Sequence, residues 1–165
     1  MAGQFAASPQ VLGASLILID SPGGKLEAKD NQLATAGILE QAGVLTGFHT
    51  DDSITDSRLF NRMAALAVRA GMSRSGALYG LTMAGARMLG LEDRVGSLEP
   101  GKDADLVMLS GDPLSVYTLV QQTWVDGAKV FDRSDPQDRL YAEGGLGASH
   151  DQAQVLHGIV QGEHR

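Results

Sequence analysis

Asp51 is the residue of this chain whose position best suits it for chemistry. It follows the apolar run 44–48, which predicts a buried strand. A carboxylate directly after a parallel strand lies at the carboxyl edge of the sheet, where α/β folds build their active sites. At that edge it can ligate a divalent cation and accept a proton from water that the cation activates. Judged by spacing alone, the commoner role is a helix cap, in which Asp51 or Asp52 begins the helix that follows.

His49 lies two residues before Asp51, and side chains two apart on an extended backbone face the same side. Imidazole is a frequent zinc ligand, but contact with a substrate or a hydrogen bond within the loop is the favoured role for His49. Gly24 and Lys25 lie in a turn after the first predicted strand, at the same sheet edge. The turn or its lysine can bind a substrate carboxylate, although a plain turn is the commoner outcome. The turn lacks the earlier glycine and the following serine or threonine of a phosphate loop, which excludes nucleotide binding.

The elements that position these residues follow from the spacing of apolar side chains. Apolar runs predict two buried strands over 14–19 and 44–48, with a helix over 30–42 between them. Strand, helix and strand joined by short links form a βαβ unit with parallel strands. Two more helices are predicted over 55–70 and 73–90, and small residues on the second one indicate close packing against a neighbour.

A different pattern begins after Arg94. Three strands are predicted over 105–109, 120–125 and 128–131. The dipeptide Asp126-Gly127 separates the last two and suits a type I′ turn, so these strands are predicted to form a hairpin. Residues 134–165 are polar and weakly periodic, and we expect partial order at most in them.

The composition limits the class of protein. The 165 residues are too few for a complete eight-stranded α/β barrel, which takes about 250. With 13 basic and 20 acidic side chains, the net charge of −7 argues against nucleic acid or an anionic membrane as a partner. No apolar run approaches the roughly 20 residues that span a bilayer, and residues 1–10 lack the pattern of a signal peptide. A soluble protein is therefore expected, either cytoplasmic or exported. Without cysteine, any metal must be held by carboxylate or imidazole.

Residues 94–107 resemble a signature of the metal-dependent amidohydrolase superfamily, of the imidazolonepropionase and dihydroorotase kind. In that superfamily the pattern R-x-G-S-L-E-P-G-K-x-A-D-L-V leads from the last barrel helix into a small β-domain. Thr50-Asp51-Asp52 is similar to the loop after barrel strand eight, whose aspartate holds the metal. The resemblance implies that Asp51 is a metal ligand and the general base, and that it later returns its proton to the leaving amine. Asp52 then takes a supporting or capping role.

The fold implied by this resemblance is α/β: the C-terminal part of a (β/α)8 TIM-type barrel, with part of a small β-sandwich domain. Barrel strands seven and eight with their helices would occupy 1–94, the composite sandwich 95–133, and a polar tail 134–165. The implied activity is hydrolysis of a C–N bond in a small-molecule substrate, an amide, cyclic amide or imide, by metal-activated water. Zinc is the expected metal.

The superfamily's histidine ligands bear on whether the site is complete. Its His-x-His pair and further histidines belong to strands that precede this region, and no such pair occurs in the 165 residues. We therefore expect a C-terminal fragment with an incomplete site, which self-associates or associates with the missing N-terminal part. Two alternatives stay open: an inactive truncated chain or partner-docking subunit, and a small binding module without catalysis. An upstream coding region with His-x-His favours the enzyme, whereas a compact chain that covers its own sheet edges favours the binding module.

Overall fold

The computed structural model describes residues 13–17, 32–51 and 56–143. The predicted site residues Gly24, Lys25 and Asp52 lie outside these ranges. Across the described ranges, no helix is both long and apolar enough to cross a membrane.

The chain separates into two compact units. The first contains the described residues up to Asp103 together with Gly111–Thr118, and the second contains Ala104–Ser110 and the described residues from Leu119 onwards. The first unit thus extends beyond the boundary predicted near Arg94. The assignment of 1–94, 95–133 and 134–165 to particular domains of a longer protein stays a prediction.

The first unit contains a pair of parallel strands, β1 (Ala14–Leu16) and β2 (Thr46–Phe48). They pair with Ser15 opposite Gly47, which confirms the parallel arrangement predicted from the βαβ pattern. β2 is shorter than the apolar run 44–48. All three of its residues are buried, as the apolar run predicted.

Helices of small and apolar residues pack against β2. They are α1 (Thr35–Gln41), α2 (Phe60–Arg69), α3 (Arg74–Gly80) and α4 (Met83–Leu89), and a 3₁₀ turn (Ser57–Leu59) precedes α2. Residues of α1, α2, α3 and β2 and the link before α3 share one apolar cluster: Ala36, Phe48, Met63, Ala64, Ala67, Met72 and Ala77. The small side chains of this cluster let the helices approach one another and the Phe48 ring closely.

Two of the predicted helices differ from those in the structure, one in where it begins and one in being divided. The helix predicted over 30–42 begins only at Thr35, after a turn at residues 33–34. The helix predicted over 73–90 is divided into α3 and α4, because Thr82 leaves the helical region and its hydroxyl donates to the Leu78 carbonyl at 3.0 Å. Such a bond from a side chain to the backbone competes with regular helix geometry. The predicted ends hold: the Ser73 hydroxyl accepts from the Gly76 N–H, and Gly90 closes α4 in the left-handed conformation.

Close packing by small residues is confirmed where α3 meets β2. A Cβ placed on Gly80 would lie 2.7 Å from the Phe48 Cε2 atom, and one on Gly76 would overlap the Glu40 carboxylate. Gly85 of α4 differs, because a Cβ there would meet nothing within 4 Å. Gly80 is therefore required by packing against β2, whereas Gly76 approaches the flexible end of the Glu40 side chain of α1 and Gly85 has open space.

The second unit is a three-stranded antiparallel sheet of β3 (Leu106–Leu109), β4 (Val120–Val125) and β5 (Ala128–Asp132), in that order. Asp126 and Gly127 both have positive φ, 50° and 74°, which confirms the predicted type I′ hairpin. A further helix, α5 (Pro136–Glu143), lies within the predicted polar tail. Asp138 of α5 accepts a hydrogen bond from the Asp132 N–H at 2.8 Å, which ties α5 to β5.

Candidate active site

His49 and Asp51 lie directly beyond the carboxyl end of β2, and both side chains are exposed. The His49 N–H donates to the Leu16 carbonyl at 3.1 Å, so the strand ladder continues one residue past β2. The backbone then turns, because Asp51 has a φ of 49° in the left-handed region. Aspartate is one of the few residues that tolerate this conformation. The extended geometry from which a shared face for His49 and Asp51 was predicted therefore does not reach Asp51.

The cap of the turn before α2 is Asp56 and not Asp51, while Asp52, the other expected cap, lies outside the described ranges. Asp56 precedes the 3₁₀ turn, and its carboxylate accepts from the Arg58 N–H at 2.9 Å. Arg58 also donates from its guanidinium to both oxygens of Asp56. These side-chain bonds, followed by the backbone bond, lower the pKa of Asp56 to about 2. Within the described ranges, no hydrogen bond or ion pair engages the Asp51 carboxylate.

A serine on the neighbouring strand holds the His49 ring. Ser15 Oγ lies 2.8 Å from His49 Nδ1. Ser15 belongs to an otherwise apolar run, and the apolar pattern alone does not predict this contact. The available signal was a single hydroxyl in an otherwise apolar run that leads to the same sheet edge as His49.

The described residues do not make a complete metal site. No group of three or more histidine, aspartate or glutamate side chains comes together among them. A zinc site needs three or four protein ligands, and Asp51 supplies one exposed carboxylate. A metal bound at Asp51 would need further ligands from outside the described residues.

The signature residues 94–103 stabilise the loop after α4 through contacts within that loop. The Lys102 ammonium donates to the Glu92 carbonyl at 2.5 Å and to the Ser97 hydroxyl at 2.7 Å. It also pairs with Glu99 at 3.0 Å, and only 10% of its side chain is exposed. The hydrogen bond from Lys102, and then that from Ser97, lower the pKa of Glu99. These contacts indicate a structural role for this part of the signature.

The carboxylate of Asp51 and the imidazole of His49 lie at the carboxyl edge of a parallel strand pair, which is where α/β folds build their active sites. The model of the amidohydrolase family matches residues 13–136. The chain therefore belongs to the amidohydrolase family, a family of hydrolytic enzymes.

The chain is also similar to individual amidohydrolases. It is 30% identical to the amidohydrolase tasK of Hapsidospora irregularis over 119 residues, which are 72% of this chain and 12% of that protein. It is 39% identical to adenine deaminase 2 of Shouchella clausii over 93 residues, which are 54% of this chain and 16% of that protein. An amidohydrolase structure from Thermotoga maritima superimposes with a TM-score of 0.74 at 36% identity, covering 80% of this chain and 34% of that one. The chain thus spans a minor part of the length of each of these three proteins.

Proposed function

We propose that this chain is the part of a metal-dependent amidohydrolase that supplies Asp51 as proton carrier and as one metal ligand. The reaction is hydrolysis of a C–N bond in an amide, cyclic amide or imide. The observation that carries the proposal is the exposed Asp51 carboxylate at the carboxyl edge of β2, while Asp56 caps the turn that follows. The similarity to an adenine deaminase and to several amidohydrolases supports a C–N bond as the target.

Asp51 moves one proton in this reaction. It takes a proton from the attacking water as the water oxygen bonds to the substrate carbon. It then gives that proton to the nitrogen as the C–N bond breaks, so the carboxylate is restored. A divalent ion held nearby would supply a Lewis acid and raise the acidity of water. The chain has no cysteine, so its metal-binding side chains are carboxylates and imidazoles. Zinc is proposed because both groups are among its usual ligands.

The remaining ligands are proposed to come from the rest of a longer polypeptide. On this proposal, β1 and β2 are barrel strands seven and eight, and the β3–β5 sheet is part of a composite sandwich. Large apolar side chains of the first unit are exposed, which supports association with a further segment or with a second copy: Leu89, Leu98, Val116 and Tyr117. Sedimentation of the isolated chain should show self-association at low micromolar concentration. A compact monomer with a cooperative melt would count against this part of the proposal.

His49 is proposed to contact the substrate, and Gly24 and Lys25 remain predicted substrate-binding residues. Substitution of Gly24 or Lys25 should raise KM, because these two residues are proposed to bind the substrate without moving the proton.

The experiment that tests metal ligation compares Asp51→Ala with Asp52→Ala in the full-length protein. Each variant is dialysed against chelator solutions of graded strength, and the retained metal is measured by mass spectrometry. Loss of a direct ligand should weaken metal affinity by more than the roughly 10–100-fold that is typical of residues supporting a ligand. Asp52→Ala should remain within that range. Equal metal retention by wild type and Asp51→Ala would overturn the assignment of Asp51 as a ligand.

A further inference from the structure

We infer that Ser15 is a positioning residue for His49: its hydroxyl donates to Nδ1 and keeps the proton on Nε2. The Nε2–H is then presented at the sheet edge as a donor to a carbonyl oxygen of the substrate. The inference rests on the proposed function, since it assigns His49 the substrate contact in that reaction.

The geometry follows from the parallel pairing of the two strands. Ser15 lies opposite Gly47, and His49 is two residues beyond Gly47, so Ser15 and His49 occupy the same face of the strand pair. Ser15 Oγ reaches His49 Nδ1 at 2.8 Å across 34 positions of sequence. The backbone of His49 is fixed independently, by its N–H bond to the Leu16 carbonyl. Backbone and ring are therefore both attached to β1.

Two attachments matter because the site is exposed. A single hydrogen bond in contact with water contributes little, since water replaces either partner. Here the backbone bond already limits the positions that the ring can take, so the hydroxyl has to fix only its remaining rotation. With Nδ1 held towards β1, the opposite ring nitrogen is directed away from that strand.

The direction of the hydrogen bond decides what His49 can do. In a neutral imidazole, the bond made by one ring nitrogen sets whether the other carries a proton. A serine that donates to Nδ1 leaves the proton on Nε2, which is also the more stable form of an isolated histidine side chain. His49 then offers a donor while the Asp51 carboxylate, two residues on, offers an acceptor. That combination suits an amide or imide, whose carbonyl oxygen accepts a hydrogen bond as its carbon is attacked.

The first test measures the protonation of the His49 ring in the 165-residue chain. The ring ¹⁵N shifts are recorded at about pH 8, where an ordinary histidine is neutral, and the His49 signals are identified by their loss in His49→Gln. Ser15→Thr keeps the hydroxyl, and Ser15→Val has the shape of the threonine variant but no hydroxyl. In wild type and Ser15→Thr the neutral His49 ring should be almost entirely in the Nε2–H form. In Ser15→Val the ratio should shift towards the mixture of Nε2–H and Nδ1–H forms that a free imidazole side chain shows. A dominant Nδ1–H form in wild type, or equal ratios in Thr and Val variants, overturns the inference.

The second test measures kinetics in the full-length enzyme. Ser15→Val should lower kcat/KM by about 10–100-fold, as for other residues that orient an imidazole through its second nitrogen, and Ser15→Thr should restore it. In the His49→Gln background, Ser15→Val should have no further effect, which separates positioning from general damage to the strand. If His49→Gln and Ser15→Val leave kcat/KM unchanged while Asp51→Asn abolishes turnover, the inference fails and the proposed function stands. If Asp51→Asn has no effect, the proposed function itself fails.

Discussion

Gly80 is the position where an added methyl group should be most informative. A Cβ there would lie 2.7 Å from Phe48 Cε2 and 3.1 Å from the Thr46 carbonyl oxygen. Carbon atoms pack at about 3.5–4.0 Å, so the Phe48 ring must move by close to 1 Å. Phe48 is only 7% exposed and belongs to the apolar cluster, so it has little room. Overpacking of this kind costs about 1–3 kcal/mol, which exceeds the roughly 0.5–1 kcal/mol that alanine gains over glycine in a helix.

The free energy of unfolding should therefore fall by about 1–2 kcal/mol in Gly80→Ala. Urea unfolding, followed by far-ultraviolet circular dichroism at one protein concentration, measures the change. Gly85→Ala is the matched control, because its Cβ meets nothing within 4 Å, and it should stabilise the chain by about 0.5–1 kcal/mol. If both variants stabilise the chain equally, the described contact between α3 and the Phe48 ring is wrong.

Three further predictions concern the loop contacts and the metal. Lys102→Met should lower the free energy of unfolding by about 1.5–3 kcal/mol, because it leaves two part-buried acceptors, the Glu92 carbonyl and the Ser97 hydroxyl, without their charged donor. The control Lys129→Met, at a side chain 40% exposed, should cost about 1 kcal/mol or less; equal losses would contradict the structural role of Lys102. The pKa of Asp56 is depressed to about 2, so its pair with Arg58 adds stability above about pH 4 that is lost as pH falls through the folded-state value. Asp56→Asn should accordingly show a smaller drop in melting temperature between about pH 5 and pH 2.5 than wild type, and an identical drop would refute the assignment. Finally, the isolated chain should bind zinc with a dissociation constant above roughly 1 μM by calorimetry, because the described residues bring no three ligands together. Stoichiometric submicromolar binding at the loop after β2 would show that this chain already contains a complete site.

The features that the sequence predicted well depend on local signals. Asp126-Gly127 suits only a narrow set of backbone angles, and both residues have the positive φ that the hairpin needs. Ser73 caps α3 through a contact three residues away, and Gly90 ends α4 at the predicted residue. Such signals act within a few residues, so they do not depend on the rest of the fold.

The features that the sequence did not predict depend on contacts between distant segments or on competing bonds. The interruption between α3 and α4 arises where the Thr82 hydroxyl bonds the Leu78 carbonyl, a choice that apolar spacing does not reveal. The contact between Ser15 and His49 joins two strands and needs their register, which the apolar runs leave open. Asp56 caps the turn before α2, a role that the sequence predicted only for Asp51 or Asp52, because the position of the cap depends on where the backbone leaves the loop after β2.

The most direct test of Asp51 as the proton carrier compares the turnover of Asp51→Asn with that of Asp52→Asn, at equal metal occupancy, in the longer enzyme that the proposed function implies. Asparagine keeps the shape and one oxygen of Asp51 but cannot carry the proton, so kcat should fall by at least the 10²–10⁴-fold typical of a general base. Asp52→Asn should cost about tenfold at most, because a supporting or capping role contributes about 1 kcal/mol. Retained turnover in Asp51→Asn together with its loss in Asp52→Asn would place the proton carrier one residue further along. Retained turnover in both variants would contradict the assignment of this loop to the active site.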